Sequence, residues 1–282
     1  MKQLFLVILL SFSAAVALNG QTTKSLFRLS DSLQVDEIFS EVACIAEELG
    51  HGGPAVENSH VALRMMFDDS GAIDVYSKNG RGMELRKYHW HTTQGQQDSL
   101  YVGCDGYVVG ESLGLGGMAL WDGDRMVRLA ATKGRKAIVG NTGKGTYMEM
   151  ISYGVPYGGD FVDISVRVDV TVKTRVATVT ATELSGKKVV FVSGVNHHKG
   201  QKVTASAGVI CVWGPHPCGE NSFPIGGGMF YSEKMFPRQD MTEDMVRIIS
   251  KPASKVSVKI ISASTKEAEL NNAKRFETYM NK

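Results

Sequence analysis

Cysteine is scarce in this chain. Four residues among 282, Cys44, Cys104, Cys211 and Cys218, are too few for a disulfide scaffold, and neither a C-x-x-C nor a zinc-finger spacing occurs. Cys211 and Cys218 are the nearest pair and the candidates for a single bridge; buried free thiols are the simpler reading. A dominant charge is also missing. Lys and Arg number 31 against 29 Asp and Glu, a net charge of +2, and the signs are mixed along the chain. With no basic stripe, nucleic acid is excluded as the expected partner. No Pro- or Ser-rich linker, low-complexity tract or internal repeat follows residue 60. Long apolar runs are absent beyond the start of the chain, so no membrane span is expected. The opening run, residues 4–16, is roughly 13 residues long against the about 20 that a bilayer requires. It follows the single charge of Lys2 and ends in Ala15-Val16-Ala17. That order of charge, apolar stretch and small residues predicts a secretory signal over residues 1–17 and a periplasmic or secreted mature protein.

Cofactor motifs are missing as well. "GNTGKGT" (140–146) resembles a phosphate loop, but Lys144 is followed by Gly145, and Ile138 stands where the first glycine belongs. "SLGLGGMA" (112–119) misses the dinucleotide fingerprint. Both read as turns, and no cofactor is expected.

What the chain has instead is alternation. In "FVDISVRVDV" Val162, Ile164, Val166, Val168 and Val170 fall on one face and Asp163, Ser165, Arg167 and Asp169 on the other. Period two of this kind is a half-buried antiparallel strand. "VATVTATEL" repeats it, and "SGKK" then leads into "VVFVSGVN", which reads as a hairpin. About a dozen such segments, with 31 glycines, predict a mainly β protein built as a large antiparallel sandwich. Helices are expected only at the ends: one over 33–49, and one opened by a capping box at Ser264-Thr265-Lys266-Glu267. The organisation read from this is a signal over 1–17, an N-terminal extension over 18–56 and a single β domain over 57–282.

Five of the seven histidines lie in three short segments. In "RKYHWHTTQGQQ", His89 and His91 would share one face of a strand with Trp90 opposite, and Arg86, Lys87 and Tyr88 add groups suited to a carboxylate or to sugar hydroxyls. In "VSGVNHHKG", alternation sends Asn196 and His198 to one face and His197 to the other, with Lys199 beside them. In "VWGPHPCGEN", His216 is held between two prolines and Trp213 offers a flat apolar ring. Histidine is the side chain that moves protons near neutral pH. His198, His89, His91 and His216 are therefore the candidate catalytic residues, with Arg86, Tyr88, Trp90, Asn196, Lys199, Trp213 and Glu149 as candidate substrate contacts. A metal site using His89, His91 and His198 is a weaker alternative.

Several stretches together resemble an exported bacterial family, domain of unknown function 4861: "ENSHVALRMMFDDSGAIDVYSK", "ESLGLGGMALWDGD", "YMEMISYGVPYGG", "VNHHKGQKV", "GVICVWGPHP" and "ISKPASKVSVKIISASTKEAELNNAKRF". The similarity runs in consistent order from Glu57 to Phe276. It implies a galactose-mutarotase-like β-supersandwich associated with polysaccharide utilisation, in which histidines and a carboxylate transfer protons on a concave sheet face. The matching positions would be His89 or His91, His198 and His216, with Glu57, Glu149 or Asp160 as the carboxylate. The expected function is histidine-based acid–base chemistry, lyase- or epimerase-like, on oligosaccharides containing uronic acid; the alternative is a non-catalytic glycan-binding protein.

Overall fold

The alternating segments become the long strands of a nine-stranded antiparallel sheet. In the computed structural model, which describes residues 21–172, 174–218 and 222–282, Asp160–Thr171 buries Val162, Ile164, Val166, Val168 and Val170 to 1 % exposure or less. The predicted signal lies outside the described residues. The sheet runs, in spatial order, through Lys202–Ser206, Val209–Pro215, Pro224–Phe230, Lys255–Ser264, Ala177–Glu183, Asp160–Thr171, Gly145–Tyr157, Arg135–Thr142 and Glu37–Ser40. A bulge between Val162 and Ile164 is met across the ladder by Gly154 at φ 67°, whose N–H donates to the Asp163 carboxylate at 2.7 Å.

Two smaller antiparallel sheets complete the architecture. One has four strands, Thr22–Ser25, Ala55–Asn58, Ala62–Met65 and Ile73–Tyr76; the other has five, Arg238–Met241, Met245–Ile249, Phe191–Asn196, Leu115–Asp122 and Arg125–Val127. One apolar cluster joins inward side chains of all three sheets, including Val166, Val179, Phe191, Ile248, Leu63 and Val75. The protein is thus mainly β, a sandwich of antiparallel sheets with few helices, as alternation and turn spacing predict.

Several local expectations are corrected. Ala177–Glu183 and Phe191–Asn196 do not form a hairpin; they belong to the nine- and five-stranded sheets. The physical sign was in the pattern: Ala177–Glu183 alternates, whereas Phe191–Asn196 is buried at every position and packs on both faces. Residues 33–49 hold no α-helix but a short strand, Glu37–Ser40, and a 3₁₀ turn at Ala46–Glu48. The C-terminal helix begins later, at Ala273–Met280, capped by Asn272; Ser264 ends a strand. Two further helices, Leu85–Tyr88 and Gln94–Leu100, lie mid-chain. "SLGLGGMA" is largely the strand Leu115–Asp122, entered through Gly114 and Gly116 with positive φ, while "GNTGKGT" is the expected hairpin turn. Among the described residues no helix is long and apolar enough to cross a membrane.

Candidate functional site

Five of the seven histidines gather in two places, neither of them on a strand; His60 lies apart, beside Arg81. The first is a cavity of about 550 Å³. Its wall is the segment 50–53, "GHGG", which lies against the four-stranded sheet. A Cβ on Gly50 would stand 2.0 Å from the Phe27 ring, and one on Gly53 2.1 Å from the Met65 carbonyl oxygen, so only glycine allows this approach. His51 is held between them at φ 59°, a left-handed conformation unusual for a non-glycine residue. It is 5 % exposed and its Nε2 is 2.9 Å from Ser25 Oγ. Burial, reinforced by His89, Arg64 and His91, lowers its pKa from 6.5 to about 3 and keeps it neutral.

The opposite wall follows from a buried ion pair. Glu57 accepts from Lys78 Nζ at 2.5 Å and from the backbone N–H groups of Glu84 and Leu85 at 2.7 and 3.0 Å. It thereby fixes the start of the helix Leu85–Tyr88. At the helix end His89 adopts φ 56°, so the chain reverses and the expected strand with a histidine face does not form. His89 and His91 nevertheless both line the cavity, and both are exposed. Trp90 between them is fully buried against Tyr76 and His51.

Arg64 forms the floor, its guanidinium 4.3 Å from the Trp90 ring centroid. Its Nη2 and Nε reach Asp74 Oδ2 at 2.6 and 2.9 Å, and Nη2 reaches Asp105 Oδ2 at 3.3 Å. Asp105 Oδ2 also stands 3.7 Å from His91 Nδ1. Burial raises the Asp74 pKa to about 7; Arg64 opposes this and the Asp105 charge adds to it. Beyond Arg64 opens a second cavity of about 350 Å³, lined by Asp68, Asp74, Asp105 and Tyr107 among others, with Arg64 and Met66 common to both.

The second histidine group surrounds the Val108 peptide. Val108 N–H donates to His216 Nδ1 at 3.1 Å, and its carbonyl accepts from Asn196 Nδ2 at 2.7 Å and His198 Nε2 at 2.8 Å. Because a carbonyl only accepts, His198 carries its proton on Nε2 and leaves Nδ1 as its free atom. Asn196 Oδ1 accepts from the buried Tyr107 hydroxyl, and the His198 and His216 rings meet edge to face at 4.8 Å. His197 turns the other way, to the Thr242 carbonyl at 3.2 Å, as alternation requires. His216 is 2 % exposed, and burial lowers its pKa to about 3. Asn196, His198 and His216 line neither of the two cavities. The three histidine segments therefore do not converge on one cleft. Residues 105–108 link the two groups, with Asp105 lining the smaller cavity and Val108 beneath the second pair of histidines.

The remaining candidates are dispersed. Trp213 packs on Phe276 under the C-terminal helix, ring centroids 5.4 Å apart. Arg86 is exposed and donates to the Lys24 carbonyl at 3.0 Å, Tyr88 lies under the Lys87 ammonium, and Lys199 is exposed in a turn. Glu149 sits mid-strand on the nine-stranded sheet, accepting from Ser165 Oγ at 2.6 Å, and Asp160 pairs with Lys187 at the surface. Among the described residues no group of three or more His, Cys, Asp or Glu is disposed to hold a metal ion, and His198 stands with His216, not with His89 and His91. The four cysteines are free thiols, with Cys104 and Cys211 buried.

His51, Arg64, Asp74, Asp105 and Tyr107 escaped the sequence reading. A signal existed for two of them: Arg64 in "VALRMMF" and Asp74 in "AIDVYS" are charges inside otherwise apolar strand segments, which calls for partners.

A model of one protein family matches residues 16–282. The chain belongs to the family described as "Domain of unknown function (DUF4861)". No curated protein matches the sequence. Among solved structures, a 4-α-glucanotransferase from Thermococcus litoralis is similar at 9 % identity and a TM-score of 0.36, over 82 % of this chain and 42 % of that one. A polysaccharide lyase is similar at 13 % identity and a TM-score of 0.30, over 78 % and 34 %. The chain thus spans less than half the length of either.

The buried histidines make stability depend on pH in a stated direction. The folded values of His51 and His216 lie near 3, below the ordinary 6.5, so the stability tied to their neutral forms is complete above 6.5 and is lost as pH falls towards 3. Asp74 has the opposite sign, its contribution being lost as pH rises towards 7. Between pH 6.5 and 4 the three histidines whose pKa is lowered, His51, His216 and the half-buried His60, outweigh the raised carboxyls of Asp74 and Glu84, so the melting temperature should fall on acidification. The His216→Gln variant should show a slope shallower by up to about 1.4 kcal/mol per pH unit. An unchanged slope in that variant, followed by circular dichroism, contradicts the assignment.

Proposed function

We propose that this protein is an exported carbohydrate-active enzyme that works in the larger cavity by acid–base chemistry on oligosaccharides containing uronic acid. The observation that supports a sugar is a pair of buried polar atoms. His51 Nδ1 and Trp90 Nε1 have no hydrogen-bond partner, and both residues line the cavity. Buried polar atoms are nearly always paired, so each calls for a polar ligand atom or water. Neighbouring hydroxyls of a pyranose supply both a donor and an acceptor, and Leu29, exposed at the rim, offers apolar surface to its C–H groups.

His91 is the proton carrier in this reading. Its Nδ1 faces Asp105, which stabilises the imidazolium, and its Nε2 remains for substrate. For a uronate, His91 removes the proton on the carbon next to the carboxylate. Loss of the 4-linked oxygen, which leaves with a proton, then gives an unsaturated product (β-elimination); return of the proton to the other face gives an epimer. His89, across from His51, is the group placed to meet the substrate carboxylate at the mouth. Incubation with a panel of uronic-acid oligosaccharides tests this: absorbance of an unsaturated uronate, or deuterium incorporated from heavy water without cleavage, is the expected result. A panel left without either signal and without mass change overturns the enzymatic reading.

A further inference from the structure

The larger cavity does not end at Arg64. That side chain and Met66 also form one wall of the smaller cavity, so the two spaces adjoin across a single guanidinium. Both volumes, about 550 and about 350 Å³, fall in the range of roughly 300–1,000 Å³ typical of small-molecule sites. Their ionisable linings differ. The larger carries three imidazoles, Arg64 and one carboxylate, Glu47, which is exposed at the rim. The smaller carries three carboxylates, Asp68, Asp74 and Asp105, against Arg64 alone. Arg64 is already committed, by Nε and Nη2 to Asp74 and by Nη2 to Asp105, and its Nη1 reaches the His51 carbonyl at 3.3 Å.

Resting on the sugar reading above, we infer that the two cavities are adjoining subsites for one oligosaccharide and that they select by charge. The larger takes the uronate, and the smaller takes a neutral or amino sugar while excluding a second uronate. In the smaller subsite a sugar carboxylate would face two or three carboxylates with no free cation, and like charges brought together in a partly closed site reject a ligand more strongly than matched charges attract one. Hydroxyls, by contrast, find acceptors in Asp68 and Asp105, and an ammonium finds a counter-ion. The larger subsite has no buried carboxylate to oppose a uronate, and the exposed rings of His89 and His91 offer it hydrogen-bond donors. Arg64, anchored from both sides, is a positioning residue at the junction.

Titration calorimetry with three defined ligands tests this: a monomeric uronate, a disaccharide of a uronate and a neutral hexose, and a diuronate of the same linkage. The mixed disaccharide should bind at least about tenfold more tightly than the diuronate, and more tightly than the monomer. The Asp68→Asn variant, which touches neither the imidazoles nor Arg64, should narrow that discrimination at least about threefold while leaving affinity for the monomeric uronate unchanged. A diuronate bound as tightly as the mixed disaccharide, or discrimination unaltered by Asp68→Asn, overturns the charge-selective subsites and leaves the sugar reading standing. Absence of binding by every saccharide overturns both.

Discussion

The Glu57→Gln variant should lose about 3–5 kcal/mol of stability, the expected cost of breaking a fully buried ion pair by removing one partner. Glu57 is 0 % and Lys78 5 % exposed, and besides Glu57 the Lys78 ammonium meets only the carbonyls of Asn58 and Gly82. A carboxamide keeps the shape but leaves that ammonium without a counter-charge. It also sets one N–H of its own against the Glu84 and Leu85 backbone donors that the carboxylate now accepts. The melting temperature should fall by about 10 °C for a chain of this size. A double variant, Glu57→Gln with Lys78→Met, should recover part of the loss, because two neutral groups no longer strand a charge. A single-variant loss below about 1 kcal/mol would place the pair outside the framework of the fold. Glu57, one of the three carboxylates that the resemblance offered, thus supports the site from behind: it fixes the helix that delivers His89, Trp90 and His91.

How far the sequence carried this reading depended on what each pattern encodes. Val162 to Val170 declare a half-buried strand because period two maps directly onto one face of a sheet. The same rule separated His197 from His198 correctly, since one faces Thr242 and the other Val108. The rule is silent about which sheet a strand joins, so Phe191–Asn196 was given the wrong neighbour. It is equally silent about convergence between distant segments. His51, Arg64 and Asp105 meet His91 only because the glycines at 50, 52 and 53, the ladder joining Ala62–Met65 to Ile73–Tyr76, and the segment around Cys104, which bridges to Ser77, fold together. Histidine clustering along the chain pointed to the right types of side chain. It could not reveal that two of the three clusters face the Val108 peptide and that only one lines the large cavity.

His91→Gln is the substitution that separates an enzyme from a binding protein. Glutamine retains hydrogen-bonding capacity and approximate reach but cannot accept and release a proton near neutral pH. If His91 carries the proton, turnover should fall by about 10²–10⁴-fold while the dissociation constant for the oligosaccharide changes little. The side chain is 77 % exposed, so the fold should tolerate the change within about 0.5 kcal/mol, and a normal melting temperature certifies that the loss is chemical. Asp105 provides the companion measurement. Its carboxylate faces His91 Nδ1 and also reaches Arg64, so Asp105→Asn alone should reduce turnover both by leaving the imidazolium unsupported and by loosening the junction. In the His91→Gln background the first effect has nothing left to act on, and the two losses should be strongly non-additive. Full additivity would mean that Asp105 works through Arg64 rather than through the imidazole. A drop in affinity without any turnover to lose would instead make the cavity a glycan-binding site, with His51 Nδ1 and Trp90 Nε1 as its polar anchors.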